Sequence, residues 1–339
     1  MKILITGGCG FLGSNLSQYF LSLNYEVHVL DNLTREGGSN NLEWLRNNGL
    51  TYFYKYDITN FALIQDLICD LKPDIIIHLA GQVAMSKSIE NPIFDFLTNT
   101  YSTINILESI RLHSKNTKLI YSSTNKIYGT LDQFNYTTSQ TRYICTDYPR
   151  GFDENTPIFF QSPYGCSKGS ADLYVLDYSK QYNLKCSVFR HSSIYGARQF
   201  STFDQGWVCW FIKQAKNNYD TNNHAVSILG NGLQVRDLLY ISDAVNLYNL
   251  AIHNFNSING NYYNIGGGIE NSLSIIELLL YLDKFYNVKS NLIKNKFRSG
   301  DQKVFVSNND KIYQSLSWKP IVNVYDGLTD SINWINTIS

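Results

Sequence analysis

The length, composition and charge of the chain exclude several classes of protein. Its 339 residues, 44% of them apolar, are enough to bury a large core, and its 28 basic and 28 acidic residues cancel, so we expect neither nucleic acid nor an anionic membrane as a partner. The six cysteines include no C-x-x-C pair, and the sequence has neither a signal-peptide pattern nor roughly 18 consecutive apolar residues. We therefore expect reduced thiols, no metal site and a cytoplasmic protein.

The first predicted element is a short buried strand, KILI, which runs into a glycine-rich turn and then a helix. Gly7 at this turn allows a tight backbone, Gly10 allows the backbone to approach a pyrophosphate, and Gly13 lets the helix pack closely on the sheet. The N-terminus of the helix would then face an anion. Glycines at this spacing also occur in plain tight turns, so a dinucleotide site needs further residues to support it.

An acidic residue at the end of the second predicted strand strengthens the dinucleotide interpretation. The strand EVHVL leads to Asp31, at the place where a dinucleotide-binding fold puts a carboxylate on the adenosine ribose. A carboxylate there would repel the 2'-phosphate of NADP, so the sequence favours NAD. Arg35 follows closely and is the residue that keeps NADP open as an alternative.

Strand and helix patterns continue to alternate along the first half of the chain, which predicts a Rossmann-like, doubly wound parallel sheet with a smaller C-terminal lobe. Ligands bind such sheets at the carboxyl ends of the strands. The further strands are TYFYKY, DIIIHLA and KLIYSST, and the helices between them are FALIQDLICDL and FDFLTNTYSTINILESIRLH.

Residues that directly follow the third and fourth strands are expected to line the cofactor cleft. Asp57 and Ile58 follow the third strand, where they would border the adenine. Ala80 and Gln82 follow the fourth strand, where they would border the nicotinamide. Taken alone, each of them could equally belong to an ordinary surface loop.

The fifth strand and the helix that follows it carry a candidate proton-transfer site. The strand closes with Thr124, and SPYGCSKG opens a helix that places Tyr164 and Lys168 on one face, because residues four apart are neighbours on a helix. A tyrosine loses its proton near pH 10, and both a nearby ammonium and an oxidised nicotinamide would favour the phenolate. Tyr164 could then accept a proton from a sugar hydroxyl that Thr124 also binds. The alternative is a solvated helix face, but the glycine turn, Asp31 and Thr124 in this order favour catalysis.

The second half of the chain is expected to bind the substrate. Polar residues cluster after the strand CSVFR, and two arginines further on could each pair with a diphosphate or form a surface salt bridge. Trp207 and Trp210 are expected in the core rather than stacked on a base. The candidate substrate-binding residues are Ser123, Thr124, His191, Ser192, Ser193, Arg198, Gln199, Arg236 and Arg298.

Over nearly its whole length the chain resembles the extended short-chain dehydrogenase/reductase family. The segments that carry the resemblance are TGGCGFLGSNL, HLAGQVAMSKSIENP, YSSTNKIYG, SPYGCSKG, FRHSSIYGARQF, DQGWV, GNGLQVRD, NIGGG and DQKVFV. The resemblance implies that Thr124, Tyr164 and Lys168 are the catalytic residues and that NAD is the cofactor. The residues it implies around NAD are Gly7, Gly10, Phe11, Leu12, Gly13, Asp31, Asn32, Asp57, Ile58, Ala80, Gln82, Asn99, Tyr164, Lys168 and Arg190.

The resemblance further implies epimerisation at C2 of a CDP-hexose through a transient 2-keto sugar. Many dehydratases of the family carry an acidic pair directly after the strand-end threonine, whereas Asn125 and Lys126 stand there in this chain, which disfavours dehydration. Two alternatives remain open, a UDP-hexose 4-epimerase and a non-catalytic NAD-binding protein of the same fold.

We expect an NAD-binding domain over residues 1–190, completed by about 235–260. The lobe that binds the sugar nucleotide is expected over 191–234 and 261–339. A homo-oligomer, either a dimer or a tetramer, is the expected assembly.

Overall fold

The computed structural model describes residues 1–221, 223–298 and 300–338 of the chain. The strands are β1 (Lys2–Thr6), β2 (Glu26–Leu30), β3 (Tyr52–Tyr54), β4 (Ile75–His78), β5 (Lys118–Thr124), β6 (Tyr136–Thr138), β7 (Tyr143–Cys145), β8 (Lys185–His191), β9 (Ser193–Tyr195), β10 (Ala225–Leu229), β11 (Val235–Tyr240), β12 (Tyr262–Ile265), β13 (Ser272–Ser274), β14 (Asn291–Asn295) and β15 (Val304–Phe305).

The α-helices are α1 (Phe11–Ser22), α2 (Gly38–Asn47), α3 (Phe61–Leu71), α4 (Met85–Glu90), α5 (Pro92–Phe96), α6 (Ser102–His113), α7 (Pro163–Tyr182), α8 (Trp207–Thr221), α9 (Ile241–His253), α10 (Phe255–Ile258), α11 (Ile275–Tyr286), α12 (Asp310–Leu316) and α13 (Val324–Ile338). A π-helical turn, Leu97–Tyr101, joins α5 to α6, and short 3₁₀ turns occur at Asn125–Tyr128 and Ile269–Asn271. Within the described ranges, no helix has the length and apolar character needed to cross a membrane.

A sheet of seven parallel strands, in the order β12-β8-β5-β4-β1-β2-β3, forms the centre of the molecule. The chain runs outward from β1 through β2 and β3 and then returns to β4 on the other side of β1. The carboxyl ends of β1 and β4 therefore flank the crevice in which ligands bind in this type of sheet. The predicted doubly wound parallel fold is confirmed.

Helices cover both faces of the large sheet, which explains why its strands are almost continuously apolar. One apolar cluster packs α1, α2 and α9 on the sheet, with Phe20, Leu45 and Leu247 fully buried. A second cluster packs α3, α6 and α7 on the opposite face, with Ile68 and Ile106 fully buried. These two layers hold the strand ends at a fixed separation.

The chain returns to the large sheet at its seventh strand. The segment 235–260 was expected to complete the NAD-binding domain, but the seventh strand of the sheet is β12, which begins at Tyr262. Only α9 and α10 of that segment pack on the large sheet, whereas β11 pairs with β9, β13 and β15 in a smaller sheet. Local sequence patterns identify strands but not their pairing partners, so they do not show which of these strands joins the large sheet.

The smaller lobe packs α8, α11 and α13 around β9 and β11. Its apolar cluster includes Val208, Leu278 and Leu328, and both Trp207 and Trp210 pack against it, as expected for core aromatic residues. The segment at 130–160, which is rich in polar and aromatic residues, contains a hairpin of β6 and β7. Its apolar side chains pack against β15. The lobe thereby covers the carboxyl end of the large sheet on the side of β5 and β8.

Candidate active site

The glycine turn after β1 has the tight geometry that was predicted for a pyrophosphate loop. Gly7 adopts a left-handed backbone with φ of +68°, and its N–H donates to the Leu30 carbonyl at 2.7 Å. A Cβ at Gly13 would lie only 2.2 Å from the Gly7 carbonyl oxygen, so a larger residue would force the turn and helix apart. The N-cap of α1 is Gly10, which offers no side-chain acceptor. The first-turn N–H groups of α1 are therefore available to an anion.

Acidic and amide side chains join the loops that follow β2 and β3. The Asp31 carboxylate accepts hydrogen bonds from the backbone N–H groups of Cys9 and Leu33, at 3.0 and 2.8 Å. Burial raises the pKa of Asp31, and these two hydrogen bonds act in the opposite direction. Asn32 Nδ2 donates to Asp57 Oδ2 at 3.0 Å. These residues thus lie together at one end of the crevice, where the adenosine of a dinucleotide is expected.

A buried polar network joins the end of β4 to α7. Asn99, in the π-helical turn, accepts from Gln82 N at 2.9 Å and donates to the Gln82 carbonyl and the Ser167 hydroxyl, both at 3.0 Å. The Asp95 carboxylate accepts hydrogen bonds from Gln82 Nε2 at 2.7 Å and from Ser167 Oγ. The hydrogen bonds of Gln82 and Asn99 therefore connect the loop after β4 to α7. Sequence reasoning missed Asp95 and Ser167, since polar residues in helices give no signal of burial.

The three candidate catalytic residues converge at the carboxyl end of β5. Thr124 is the last residue of that strand, and Tyr164 and Lys168 lie one turn apart at the start of α7. Thr124 Oγ1 accepts a hydrogen bond from the Lys126 backbone N–H at 3.2 Å and donates a long one to Asn125 Oδ1 at 3.4 Å. The Lys168 ammonium donates to the Ser122 carbonyl at 2.5 Å and lies 4.3 Å from the centroid of a buried tyrosine ring.

Burial shifts the pKa values of both titratable candidate residues, Tyr164 and Lys168. Burial raises the pKa of Tyr164 to about 12, although the hydrogen bond with Thr124 acts to lower it. Burial also lowers the pKa of Lys168 to about 7, although Asp172 and Asp95 act to raise it. The protein alone thus keeps Tyr164 as a neutral phenol, because desolvation outweighs the nearby charges. A positively charged ligand beside the phenol is needed to make it a base.

The polar residues after β8 line the same region. His191 Nε2 lies 2.9 Å from the Tyr248 hydroxyl, and burial lowers the pKa of His191 to about 3, so this imidazole is neutral. Its Nδ1 and the hydroxyl of Ser123 are buried without a hydrogen-bond partner among the described residues. Buried polar atoms of this kind are usually paired, which marks both as places where a ligand would bind. Ser192 Oγ donates to the Asp237 carbonyl at 3.4 Å.

Arg190, which was expected beside the cofactor, is instead part of the core. Its Nε and Nη2 donate to the Asp172 carboxylate at 2.9 and 3.0 Å, and its Nη1 donates to the Tyr128 hydroxyl at 3.1 Å. The guanidinium also stacks over Tyr262, 4.0 Å from the ring centroid. All of its nitrogens are engaged and the side chain is fully buried, so we assign Arg190 to the packing of α7 on the sheet.

The remaining candidate substrate residues have neighbours in the smaller lobe. Ser193 Oγ accepts from Trp207 Nε1 at 3.2 Å, so a core tryptophan positions this hydroxyl. Gln199 Nε2 donates to the Ile194 carbonyl at 3.1 Å. Arg198 has a left-handed backbone and places its guanidinium 4.1 Å from the Trp44 ring centroid, so it joins the smaller lobe to α2.

Both arginines that were expected to bind a diphosphate are paired with carboxylates. Arg236 Nη2 donates to Asp301 Oδ1 at 2.6 Å, and Arg298 Nη2 donates to Asp204 Oδ1 at 3.3 Å. Lys126 also donates to Asp301 Oδ1, at 3.2 Å. The two cations hold the pKa of Asp301 down at about 2, against the effect of burial. This cluster begins two residues after Thr124.

A parallel Rossmann-like sheet, a glycine turn after its first strand and a Tyr-x-x-x-Lys helix beside a strand-end threonine define an extended short-chain dehydrogenase/reductase. The family model described as GDP-mannose 4,6 dehydratase matches residues 4–331, and the chain belongs to this family. A CDP-paratose 2-epimerase from Salmonella typhi is 48% identical over 338 residues, which cover 100% of both chains. A putative UDP-glucose 4-epimerase from Methanocaldococcus jannaschii is 31% identical over 98% of both chains.

Solved structures agree with this placement. Pal from Bacillus thuringiensis is 29% identical with a TM-score of 0.85, and 100% of each chain is covered. The UDP-glucuronic acid 4-epimerase of Bacillus cereus, solved with UDP-glucuronic acid and NAD, is 26% identical with a TM-score of 0.84 over 100% of both chains. The predicted family and the predicted class, a nucleotide-sugar epimerase, are confirmed.

The buried ammonium of Lys168 predicts a pH-dependent effect on stability. Because the folded-state pKa of Lys168 is about 7, below the ordinary 10.5, folding penalises the charged form fully below pH 7, and the penalty fades as the pH rises towards 10.5. Lys168→Met should therefore raise the melting temperature of the ligand-free protein, by roughly 2–4 °C per kcal/mol gained, and more at pH 6 than at pH 9. Thermal unfolding at both pH values measures this.

The exposed Lys180 on the same helix provides the control. Lys180→Met should leave the difference between pH 6 and pH 9 unchanged. A Lys168→Met protein whose gain is larger at pH 9 than at pH 6 would contradict the assignment of a buried charge.

Proposed function

We propose that this protein is an NAD-dependent C2 epimerase of a CDP-hexose, converting CDP-paratose to CDP-tyvelose in the synthesis of nucleotide sugars for O-antigen. The observation that carries the proposal is the 48% identity to a CDP-paratose 2-epimerase over the full length of both chains. The convergence of Thr124, Tyr164 and Lys168 at one strand end supports it, because these residues supply the acid-base chemistry that epimerisation through a ketone requires.

The residues at the ends of β1 and β2 fit NAD. Gly7 and Gly13 leave no room for a Cβ, so the backbone can approach a pyrophosphate at the N-terminus of α1. The Asp31 carboxylate would accept hydrogen bonds from the adenosine ribose and repel a 2'-phosphate, which favours NAD over NADP. The unpaired Ser123 hydroxyl and His191 Nδ1 would meet the nicotinamide or the sugar. When bound, NAD supplies the acceptor and donor for the electron pair of the sugar C–H bond.

Tyr164 moves the proton in this proposal. The phenolate would take the proton of the C2 hydroxyl while the C2 hydrogen leaves with its electron pair, which gives a 2-keto sugar. The ketone then turns its other face, the electron pair and hydrogen return to C2, and Tyr164 gives the proton back to oxygen. No net oxidation results. Thr124 would donate a hydrogen bond to the reacting oxygen, and Lys168 would hold the cofactor ribose and favour the phenolate.

The residues after Thr124 support epimerisation rather than loss of water. A 2-keto sugar with a hydroxyl at C4 loses water when a base removes a proton from C3 and an acid assists the leaving hydroxyl. Asn125 is an amide whose Nδ2 donates to Gln302 Oε1 at 2.9 Å, and Lys126 is paired with Asp301. Neither residue offers a free carboxylate for this elimination.

The position of the chemistry is tested with labelled substrate. If C2 is oxidised and reduced in place, CDP-paratose deuterated at C2 should give CDP-tyvelose that keeps its deuterium, because the label travels with the cofactor rather than exchanging with water. NMR reports both the configuration and the label. Deuterium lost to solvent would indicate proton abstraction instead. Inversion at C4 of a UDP-hexose would make the protein a 4-epimerase.

The role of Tyr164 separates an enzyme from a non-catalytic binding protein. Tyr164→Phe removes the acid-base oxygen and keeps the ring, so turnover should fall on the order of a hundredfold or more while NAD remains bound. Tyr182→Phe, at the exposed end of the same helix, is the matched control and should turn over normally. Equal turnover in the Tyr164→Phe and wild-type proteins would contradict the assignment.

An uncharged apolar face on α5 and the π-helical turn supports the expected homo-oligomer. Phe94, Phe96 and Tyr101 are exposed there, whereas Asp95 of the same segment turns inward. On the adjoining helix α7, Leu173 also faces solvent. Exposed apolar patches mark interaction sites, and the surfaces of α5 and the π-helical turn can meet without desolvating ions. We assign this face, residues 92–101 with the outer side of α7, to pairing with a second copy.

A single charge on this face should separate the copies. Ile93 on this face is 71% exposed. Ile93→Asp would place two like charges across a symmetric interface. The molar mass measured by light scattering should then fall to that of a monomer. Leu280→Asp, at a residue 56% exposed on α11, is the control and should leave the mass unchanged. If Ile93→Asp also leaves the mass unchanged, the face does not form the interface.

A further inference from the structure

Two cations converge on one carboxylate oxygen beside the catalytic threonine. Asp301 Oδ1 accepts hydrogen bonds from Lys126 Nζ at 3.2 Å, Arg236 Nη2 at 2.6 Å and its neighbour's backbone N–H at 3.0 Å. The side chains of Lys126 and Arg236 are 15% and 12% exposed, so both charged groups lie at the edge of the site rather than in bulk water. Because these ion pairs lie at the edge of the site, their charged groups can interact with the charges of a bound ligand.

The ammonium of Lys126 is held at a fixed place relative to Thr124. The Lys126 backbone N–H donates to Thr124 Oγ1 at 3.2 Å, so the two residues share one turn. That turn is tied to the segment carrying Asp301, because Gln302 is fully buried, accepts from Asn125 Nδ2 at 2.9 Å, and donates to the Gly129 carbonyl at 2.7 Å. The position of the cation therefore follows from the position of the catalytic strand end.

The chemistry of a sugar nucleotide explains why a cation is needed there. C2 is bonded directly to C1, which carries the diphosphate, whereas C4 lies across the ring from C1. When C2 is placed at Tyr164 and Thr124, the phosphate attached to C1 is necessarily brought close to Thr124. When C4 occupies that place, the ring separates the same phosphate from Thr124. A site that reacts at C2 therefore requires positive charge next to its strand-end threonine.

We propose that Lys126 binds the phosphate attached to C1 of the sugar nucleotide, that Asp301 is the counter-ion it releases on binding, and that this contact selects C2 over C4 for reaction. The inference rests on the proposed function, because it takes a CDP-hexose as the substrate. Arg236, which donates to the same oxygen of Asp301, would contact the same phosphate group. Asp301 thus occupies the phosphate site until substrate arrives.

A purely structural salt bridge between Lys126 and Asp301 would respond to substitution differently from an Asp301 that competes with phosphate for Lys126. If Asp301 only fastens its loop to the turn, removing either Lys126 or Asp301 weakens the same attachment, and both variants lose stability and ligand affinity together. If Asp301 occupies the phosphate site, the two substitutions have opposite effects on phosphate binding. Lys126→Gln removes a phosphate contact, whereas Asp301→Asn removes the group that competes for it.

Calorimetric titration of the NAD-loaded protein with CDP, UDP and cytidine tests the inference. Lys126→Gln should weaken CDP and UDP binding tenfold or more and leave cytidine unaffected, and Asp301→Asn should tighten CDP binding severalfold. Lys303→Gln, at a half-exposed lysine paired with Asp132, is the control and should match the wild type. If both site variants weaken CDP, or if Lys126→Gln binds CDP like the wild type, the inference is overturned.

Turnover separates this inference from the proposed function. In Lys126→Gln the KM for CDP-paratose should rise at least tenfold, and inversion at C4 should become detectable in a product that the wild type forms only by inversion at C2. If the wild type inverts C2 but Lys126→Gln leaves the KM and the product unchanged, this inference is overturned while the proposed function stands. A wild-type protein that inverts only C4 would overturn the proposed function, and with it the selection of C2.

Discussion

The buried ion pair between Asp172 and Arg190 is the contact on which the geometry of the site depends. It joins α7, which carries Tyr164 and Lys168, to β8, and both partners are excluded from water. Removing one partner of such a pair leaves an uncompensated buried charge, at a cost of about 3–5 kcal/mol. Because Asp172 lies one helical turn beyond Lys168, the pair fixes the rotation of α7 and therefore the direction of the phenol.

Burial both builds this site and limits its chemistry. The carboxylates near it are engaged, Asp95 with amides and a hydroxyl and Asp301 with two cations. In the proposed reaction the proton is therefore exchanged by Tyr164 rather than by a carboxylate. The dTDP-glucose 4,6-dehydratase of Escherichia coli is 29% identical and is named for a different reaction, so the family alone does not decide which reaction takes place.

The sequence was sufficient for the sheet, the glycine turn and the placing of Thr124, Tyr164 and Lys168 near one another, because each follows from local pattern or helical spacing. It was insufficient where a role depends on contacts distant in the chain. Arg190 was expected at the cofactor, but its partner Asp172 on α7 could not be identified from spacing. The pKa of Tyr164 was expected to fall beside an ammonium and an oxidised nicotinamide, whereas the protein's own desolvation of the phenol, which depends on the folded site, raises it. β12 was not identified from the sequence, because the order of strands in a sheet is not a local property.

The late arrival of β12 has a consequence for how the chain is made. On the ribosome, β8 is complete at His191 but remains an open edge until Tyr262–Ile265 emerges and pairs with it. During that interval an apolar parallel strand presents unpaired backbone groups, which favours association with other nascent chains. The elements of the smaller lobe that lie between β8 and β12 in the chain, from β9 to β11, are synthesised while this edge is open. Until β12 has formed, β8 is therefore the edge of the sheet at which an incomplete chain can pair with another chain.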